Sequence, residues 1–338
     1  MSYRNYNIIA TLGPSSDKKS MWERMVHAGV NGFRLNTSHL TFVQLSSWLE
    51  KLHPFLESSG LVLVIDLQGS KWRLGNFHPF ELKQDQEVDL ILAAEAKLPN
   101  VLPVPHPDFF QAAILTITSI SSQSNKCITL NDAKITLQMD SASNDKVTAK
   151  VIQNGLISPR KGIVLVGSDY RKEDLCIFDE QVMLATRNSL HIRYAISYVK
   201  DATEMANYHS LLGPSAYLIA KLERQSAIND AVKIASHANE LWLCRGDLGA
   251  ELGMKRLAGL VSRFGGNIPA MTTPVLMAGQ ILEHMTENAT PTRSEICYLY
   301  DTLKRGYKGV VLSDETAIGR YPVESCQAAA IFLLDDPL

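Results

Sequence analysis

Residues 241–253 read LWLCRGDLGAELG, an apolar run fit for a buried strand that breaks into Arg245, Gly246, Asp247, Leu248 and Gly249. Glycine and aspartate are at home in a surface turn. Arg-Gly-Asp is also a cell-adhesion tripeptide, a reading that needs a secreted protein. The third reading is a working strand end, in which the charges and bare backbone serve a ligand. The rest of the chain decides among them.

The chain has 338 residues, 46% hydrophobic and 20% charged, enough to bury a large core as one α/β barrel with an insertion or as two ordinary domains. Its 33 basic and 35 acidic residues leave a net charge of -2. No basic field exists to attract nucleic acid or an acidic membrane surface, so small-molecule partners are favoured. The opening MSYRNYNIIATLGPSSDKKS holds no apolar segment of signal-peptide length, and no run of about 18 apolar residues occurs to span a bilayer. The expected location is cytoplasmic. The five cysteines (Cys127, Cys176, Cys244, Cys297, Cys326) are odd in number and lack Cys-x-x-Cys spacing, so they read as reduced thiols and not as a disulfide frame or zinc site. Little weight then remains on adhesion.

Runs like the one in Glu240–Asp247 recur: NIIATLG from Asn7, NGFRLN from Asn31, LVLVIDL from Leu61, IRYAIS from Ile192, AYLIAKLE from Ala216, TPVLMAG from Thr273 and GVVLSDE from Gly309. Between them lie segments of helical spacing, among them MWERMVHAGV, FDEQVMLATRNSL, SAINDAVKIASHA and AGQILEHM. Strand, helix, strand repeated eight times predicts a (β/α)8 TIM barrel. An open doubly wound sheet is disfavoured, because no G-x-G-x-x-G follows the first strand. The rhythm fails once, where VDLILAAE, AILTITS, CITLND and KVTAKVIQ are short β-like runs between Asn, Ser, Asp and Pro clusters. The expectation is a barrel over residues 1–75 and 161–338, with a small inserted all-β lid domain over 76–160 in a βα loop on the catalytic face.

A barrel of this kind builds its site from the C-terminal ends of its strands. Those ends carry Thr11, Arg34, Asn36, Ser38, Asp66, Lys71, Arg73, Ser197, Lys221, Glu223, Asp247, Gly279, Ser313 and Glu315. Glu223 and Asp247, ending adjacent strands, suit one hard cation, Mg²⁺ or Mn²⁺. Lys221 stands two residues before Glu223 and faces the same side, and Arg34 and Arg73 add positive charge. The bare N–H groups of Gly246 to Leu248 suit a carboxylate at a helix start. Together these describe a site for a small phosphorylated or carboxylated anion. Taken singly, a lysine or glutamate at a strand end is more often a barrel salt bridge; the convergence of several ends is what argues for a site. His39 is the one histidine at a strand end, and a structural hydrogen-bonding role fits it as well as catalysis.

The order and spacing of TLGPSS, FRLNTSH, IDLQGSKWRLG, ISPRKG, IAKLE, CRGDLGAELG, PTRSE and LSDETAIGRYPVES resemble the pyruvate kinase family over about Asn7 to Ser325. The resemblance implies a barrel with a β-rich lid and a glycolytic transfer of phosphoryl from phosphoenolpyruvate to ADP, giving pyruvate and ATP. It implies Glu223 and Asp247 as metal ligands, Lys221 and Arg34 at the transferring phosphoryl group with Arg73 among the catalytic cations, and Ser313 in the proton-donating network. It also implies Asn36, Ser38 and Asp66 at a monovalent cation site, Gly246, Asp247 and Gly279 at the substrate carboxylate, and Thr11, Pro14, His39 and Lys161 on the nucleotide side.

Departures are informative. Gly279 stands where the family has a threonine whose hydroxyl touches the carboxylate, Val164 replaces a polar hinge residue, Ala133 and Asp314 replace glycines, and the family's C-terminal regulatory domain is expected to be absent. Lys71 replaces a glutamate found in members that require K⁺ and Leu67 a threonine that helps ligate it, so no K⁺ requirement is expected. Two alternatives stand beside phosphotransfer. One is a metal-enolate lyase, aldolase or decarboxylase on a 2-oxo acid such as oxaloacetate, and the other a non-catalytic homologue that binds a metabolite or partner. Oligomeric state is left open, a homo-oligomer included.

Overall fold

The computed structural model describes residues 6–118, 126–131, 133–166, 168 and 176–333. It divides into two compact units, one of Met1–Gly69, Cys176–Arg245 and Gly259–Leu338, the other of Ser70–Leu175 and Gly246–Ala258.

The first unit begins with strands β1 (Asn7–Thr11), β2 (Gly32–Asn36) and β3 (Val62–Asp66). In the second unit follow β4 (Phe80–Leu82), β5 (Glu87–Ile91), β6 (Val101–Pro103), β7 (Cys127–Leu130), β8 (Ile135–Ala142), β9 (Lys146–Gln153), β10 (Gly155–Ile157) and β11 (Ile163–Leu165). The chain then returns to the first unit through β12 (Ile192–Ile196), β13 (Leu218–Leu222), β14 (Glu240–Cys244), β15 (Val275–Ala278) and β16 (Gly309–Leu312). β1, β2, β3 and β12 to β16 close into a barrel in that order, β16 pairing back to β1, with every pairing parallel. Each of the eight predicted runs is therefore a barrel strand.

These strands are buried on both faces, which is why they read as unbroken apolar runs. Side chains alternate along each strand. Ile9, Val64, Ala195, Ile219, Trp242, Leu276 and Val311 form the inner cluster. Two residues beyond four of them, on the same face, come Thr11, Asp66, Ser197 and Lys221. On these four strands the inner column thus turns from apolar to polar or charged as it reaches the C-terminal ends.

The second unit holds a six-stranded sheet in the order β11-β7-β8-β9-β5-β6 and a two-stranded sheet of β10 and β4. Its core gathers Trp72, Leu82, Leu90, Phe109, Phe110, Leu137 and Val151 among others. The expectation of strands is met in these sheets, with one correction. AILTITS, read as β-like, belongs as far as Thr118 to a helix, Pro107–Thr118, and its last residue lies outside the described residues. Proline opens that helix at a position where its missing N–H costs nothing, and Phe109, Ala112 and Ala113 recur at helical spacing on its buried side.

Two further corrections concern the barrel helices. AGQILEHM is not a helix, because Gly279 (φ 84°) and Gln280 (φ 55°) are left-handed, and only a short 3-10 turn, Glu283–Thr286, follows. SAINDAVKIASHA forms two short helices, Gln225–Asn229 and Ala231–Ala235, broken at Asp230. The PTRSE motif has a local purpose. Thr292 and Glu295 form a reciprocal capping box at the start of helix Arg293–Lys304. Among the described residues, no helix is long and apolar enough to cross a membrane.

Candidate active site

In the first unit, the C-terminal ends of β1, β2, β3, β12 and β13 carry one continuous chain of buried polar groups. Arg34 donates through Nε to Asp66 Oδ2 at 2.7 Å and through Nη1 to Thr11 Oγ1 at 2.8 Å, and Thr11 in turn donates to the Leu312 carbonyl. The other Asp66 oxygen, Oδ1, accepts from Ser197 Oγ at 2.9 Å and Lys221 Nζ at 3.1 Å. Lys221 also donates to Ser197 Oγ and lies 3.0 Å from Glu223 Oε1. The Tyr198 amide donates to Glu223 Oε2 at 2.7 Å. Charges alternate along this chain, Arg34, Asp66, Lys221, Glu223, and all four side chains are buried.

Burial alone would raise the Asp66 pKa, but Lys221 and Arg34 outweigh it and hold the carboxyl below the usual range. Burial would likewise lower the Lys221 pKa, and Asp66 and Glu223 instead hold it above the usual lysine range. Lys221 is therefore a fixed cation at neutral pH, unsuited to giving up a proton. Two backbone features frame this chain. Gly69 has φ 63°, and a β-carbon there would lie 2.2 Å from the Ser197 carbonyl. The amides of Gln68 and Gly69 donate to the buried Asp179 carboxylate, which opens helix Ile177–Thr186 and ties the end of β3 to it.

The other predicted residues of this unit have more local settings. Asn36 Oδ1 accepts from the Ser38 amide and caps the 3-10 turn Thr37–His39, while Pro14 opens the turn Pro14–Ser16. The Ser313 amide donates to buried Glu315 Oε2, whose other oxygen accepts from the Leu282 amide. These bonds join the end of β16 to the loop after β15.

Arg245 has its own answer to the question its motif raised. Its Nη2 donates to the carbonyls of Gly279 and Gln280, both at 2.6 Å, its Nε to Gly279 at 3.0 Å, and its guanidinium lies 4.7 Å from the Tyr298 ring centroid. It clamps the loop that carries Gly279. Placing there the threonine that the resemblance implies meets a backbone obstacle, since a β-branched residue is strained at φ 84°. Gly279→Thr is expected to cost about 1–3 kcal/mol, read as a lower denaturant midpoint; a variant as stable as the parent would show that the loop relaxes.

In the second unit, Lys71 Nζ lies 2.5 Å from Asp247 Oδ1. Asp247 and Gly246 stand in the first turn of helix Arg245–Leu252. A β-carbon on Gly246 would meet nothing within 4 Å, so packing does not demand a glycine there. Arg73 donates to the Arg160 carbonyl, and the Lys161 carbonyl accepts from the Leu74 amide. Residues 72–74 and 161–163 thus run side by side where the chain enters and leaves this unit.

Three residues that the sequence reading gave no role matter to this geometry: Tyr198, Asp179 and Arg245, the last as a clamp. Tyr198 takes φ 64°, which only the surrounding packing imposes. Asp179 shows a weak signal, an acidic residue at the start of a helical stretch. Among the described residues no group of three or more His, Cys, Asp and Glu gathers as a metal site. Taken separately, Glu223 in the first unit and Asp247 in the second each offer carboxylate oxygens, the donor type a hard divalent cation prefers.

The family model described as pyruvate kinase, barrel domain, matches residues 3–326. Pyruvate kinase of Aeropyrum pernix is 29% identical over 328 residues, covering 95% of this chain and 68% of its own. A pyruvate kinase of Agrobacterium vitis is 30% identical over 332 residues, covering 96% and 68%. Pyruvate kinase isozyme G, chloroplastic, of Nicotiana tabacum is 26% identical over 341 residues, covering 98% and 59%. The chain thus spans about two thirds of the length of the relatives it matches. A match running from the first barrel strand past the last, on a closed eight-stranded barrel of this topology, shows that the chain belongs to the pyruvate kinase family.

Proposed function

We propose that the chain binds a small carboxylated phosphoryl compound, of which phosphoenolpyruvate is the type, and transfers its phosphoryl group to ADP with the help of a divalent cation. The observation that carries this reading is Lys221, a buried ammonium held charged between Asp66 and Glu223 at the end of a barrel strand. A fixed cation in a dry setting stabilises charge on phosphoryl oxygens far better than one in water. Arg34, locked by Asp66 and Thr11, supplies a second such charge without reorganising. Glu223 and Asp247 would hold Mg²⁺ or Mn²⁺, which supplies further charge neutralisation when bound. The backbone of Gly246 and Asp247 and the Gly279 loop would serve the carboxylate, and Thr11, Pro14, His39 and Lys161 the nucleotide. The transfer would break the P–O bond of the ester, form the new P–O bond to ADP, and leave the enolate of pyruvate, which takes one proton at its methylene carbon, with Ser313 in the relay.

A second reading, turnover of oxaloacetate or a similar 2-oxo acid without nucleotide, draws on Gly279, which offers no hydroxyl, and on buried apolar Val164. Incubating the protein with Mg²⁺, phosphoenolpyruvate and ADP, and separately with Mg²⁺ and oxaloacetate, separates the two. Equal amounts of pyruvate and ATP support phosphotransfer, and pyruvate from oxaloacetate alone supports the second. Neither product would sink both and leave a binding protein.

Turnover is expected not to depend on K⁺, since Lys71 brings a positive charge of its own. Assays in tetramethylammonium buffer at constant ionic strength, with and without K⁺, check this. Several-fold stimulation by K⁺ would refute it and point instead to Asn36, Ser38 and Asp66 as its ligands.

A further inference from the structure

The pair Lys71–Asp247 joins residues far apart in sequence, and both side chains are nearly enclosed, 9% and 13% exposed. Charge is not the only thing holding the ammonium there. A β-carbon built on Gly162 would lie 2.4 Å from Lys71 Cε and 2.9 Å from Nζ, so the lysine stem passes over bare backbone. Gly162 is bridged to Arg73 and its neighbour Ile163 donates to the Trp72 carbonyl, which fixes that slot beside the root of Lys71. On the carboxylate side, Thr129 donates to the Ala250 carbonyl and anchors the helix carrying Asp247 to the same unit.

We infer that Lys71 is a tethered counter-cation that competes with the divalent cation for Asp247, so that metal enters only as the ammonium leaves. This rests on the reading of Asp247 as a metal carboxylate. An enclosed carboxylate with no cation beside it is costly, and the lysine removes that cost while the metal is absent. The same contact lowers apparent metal affinity by the fraction of time the carboxylate is released. It also sets specificity. A monovalent ion carries no more charge than the ammonium it would replace and gains nothing by the exchange, whereas a divalent ion does. The released ammonium then adds its charge to the side of the anionic substrate.

Titration of the chelator-treated protein with Mn²⁺, followed by the electron paramagnetic resonance of the free ion, tests this without any turnover. Lys71→Met is expected to lower the Mn²⁺ Kd by about ten-fold or more. Gly162→Ala keeps every charge but places a methyl group against the lysine stem, and is expected to lower Kd in the same direction by about three-fold. Unchanged affinity in both variants, with binding lost in Asp247→Asn, overturns the counter-cation and leaves the metal reading intact. Tightening in Lys71→Met alone means that the lysine acts through its field and not through the contact, which also overturns it. Full affinity in Asp247→Asn sinks the metal reading itself. Thermal melts of each variant identify any that fails to fold, and Gly162→Ala keeps the test open if Lys71→Met does.

Discussion

Asp66→Asn is expected to lower folding stability by about 3–5 kcal/mol, the cost of removing one partner from a buried charge pair. Asp66 serves two cations at once, Arg34 on Oδ2 and Lys221 on Oδ1, with the Ser197 hydroxyl also on Oδ1. An amide of the same shape leaves the buried Arg34 without the carboxylate it pairs with, while Lys221 retains Glu223. Guanidinium unfolding at neutral pH gives the loss directly. Its pH dependence is a second check. The folded Asp66 pKa lies below its unfolded value, near about 3.9, because Lys221 and Arg34 outweigh the upward push of burial. Its contribution is then fully present above the unfolded pKa and disappears as pH falls through the folded one. The gap between the two proteins should hold constant through neutral pH and narrow only in acid. A gap under about 1 kcal/mol would place Asp66 in wetter surroundings than its burial indicates.

Glu223→Gln is expected to weaken Mn²⁺ binding by about 100-fold or more, since losing a residue that merely orients a metal ligand already costs about 10- to 100-fold. The fold should survive. An amide oxygen can still accept the Tyr198 N–H, and Lys221 keeps Asp66 and Ser197. Calorimetric titration with Mn²⁺, and with oxalate as a small dicarboxylate in the presence of Mn²⁺, separates this from a structural role. Full binding of both by a well-folded variant would return Glu223 to the status of a salt-bridge partner for Lys221.

The barrel was legible because parallel strands covered on both faces must be apolar throughout, and such runs recur at the spacing a helical crossover needs. The same alternation explains why the sequence alone sets Thr11, Asp66, Ser197 and Lys221 at strand ends: a period of two fixes which face each side chain takes. Local sequence was less reliable where context overrode it. AILTITS has β-branched residues enough for a strand, yet its pattern closes as a helix once Phe109 and Phe110 are buried beneath it. AGQILEHM has helical spacing, yet two left-handed residues held by Arg245 deny it a helix. The pairings were beyond the sequence altogether. That Asp66 serves both Arg34 and Lys221, that the Tyr198 amide reaches Glu223, and that Lys71 sits on Asp247 are contacts between residues 25 to 176 positions apart. Alternation and periodicity report the direction of a side chain relative to its own strand or helix. Which charge meets which across the barrel mouth, or under the bare backbone of Gly162, depends on register, strand tilt and the room left by neighbours, and only the folded chain sets those.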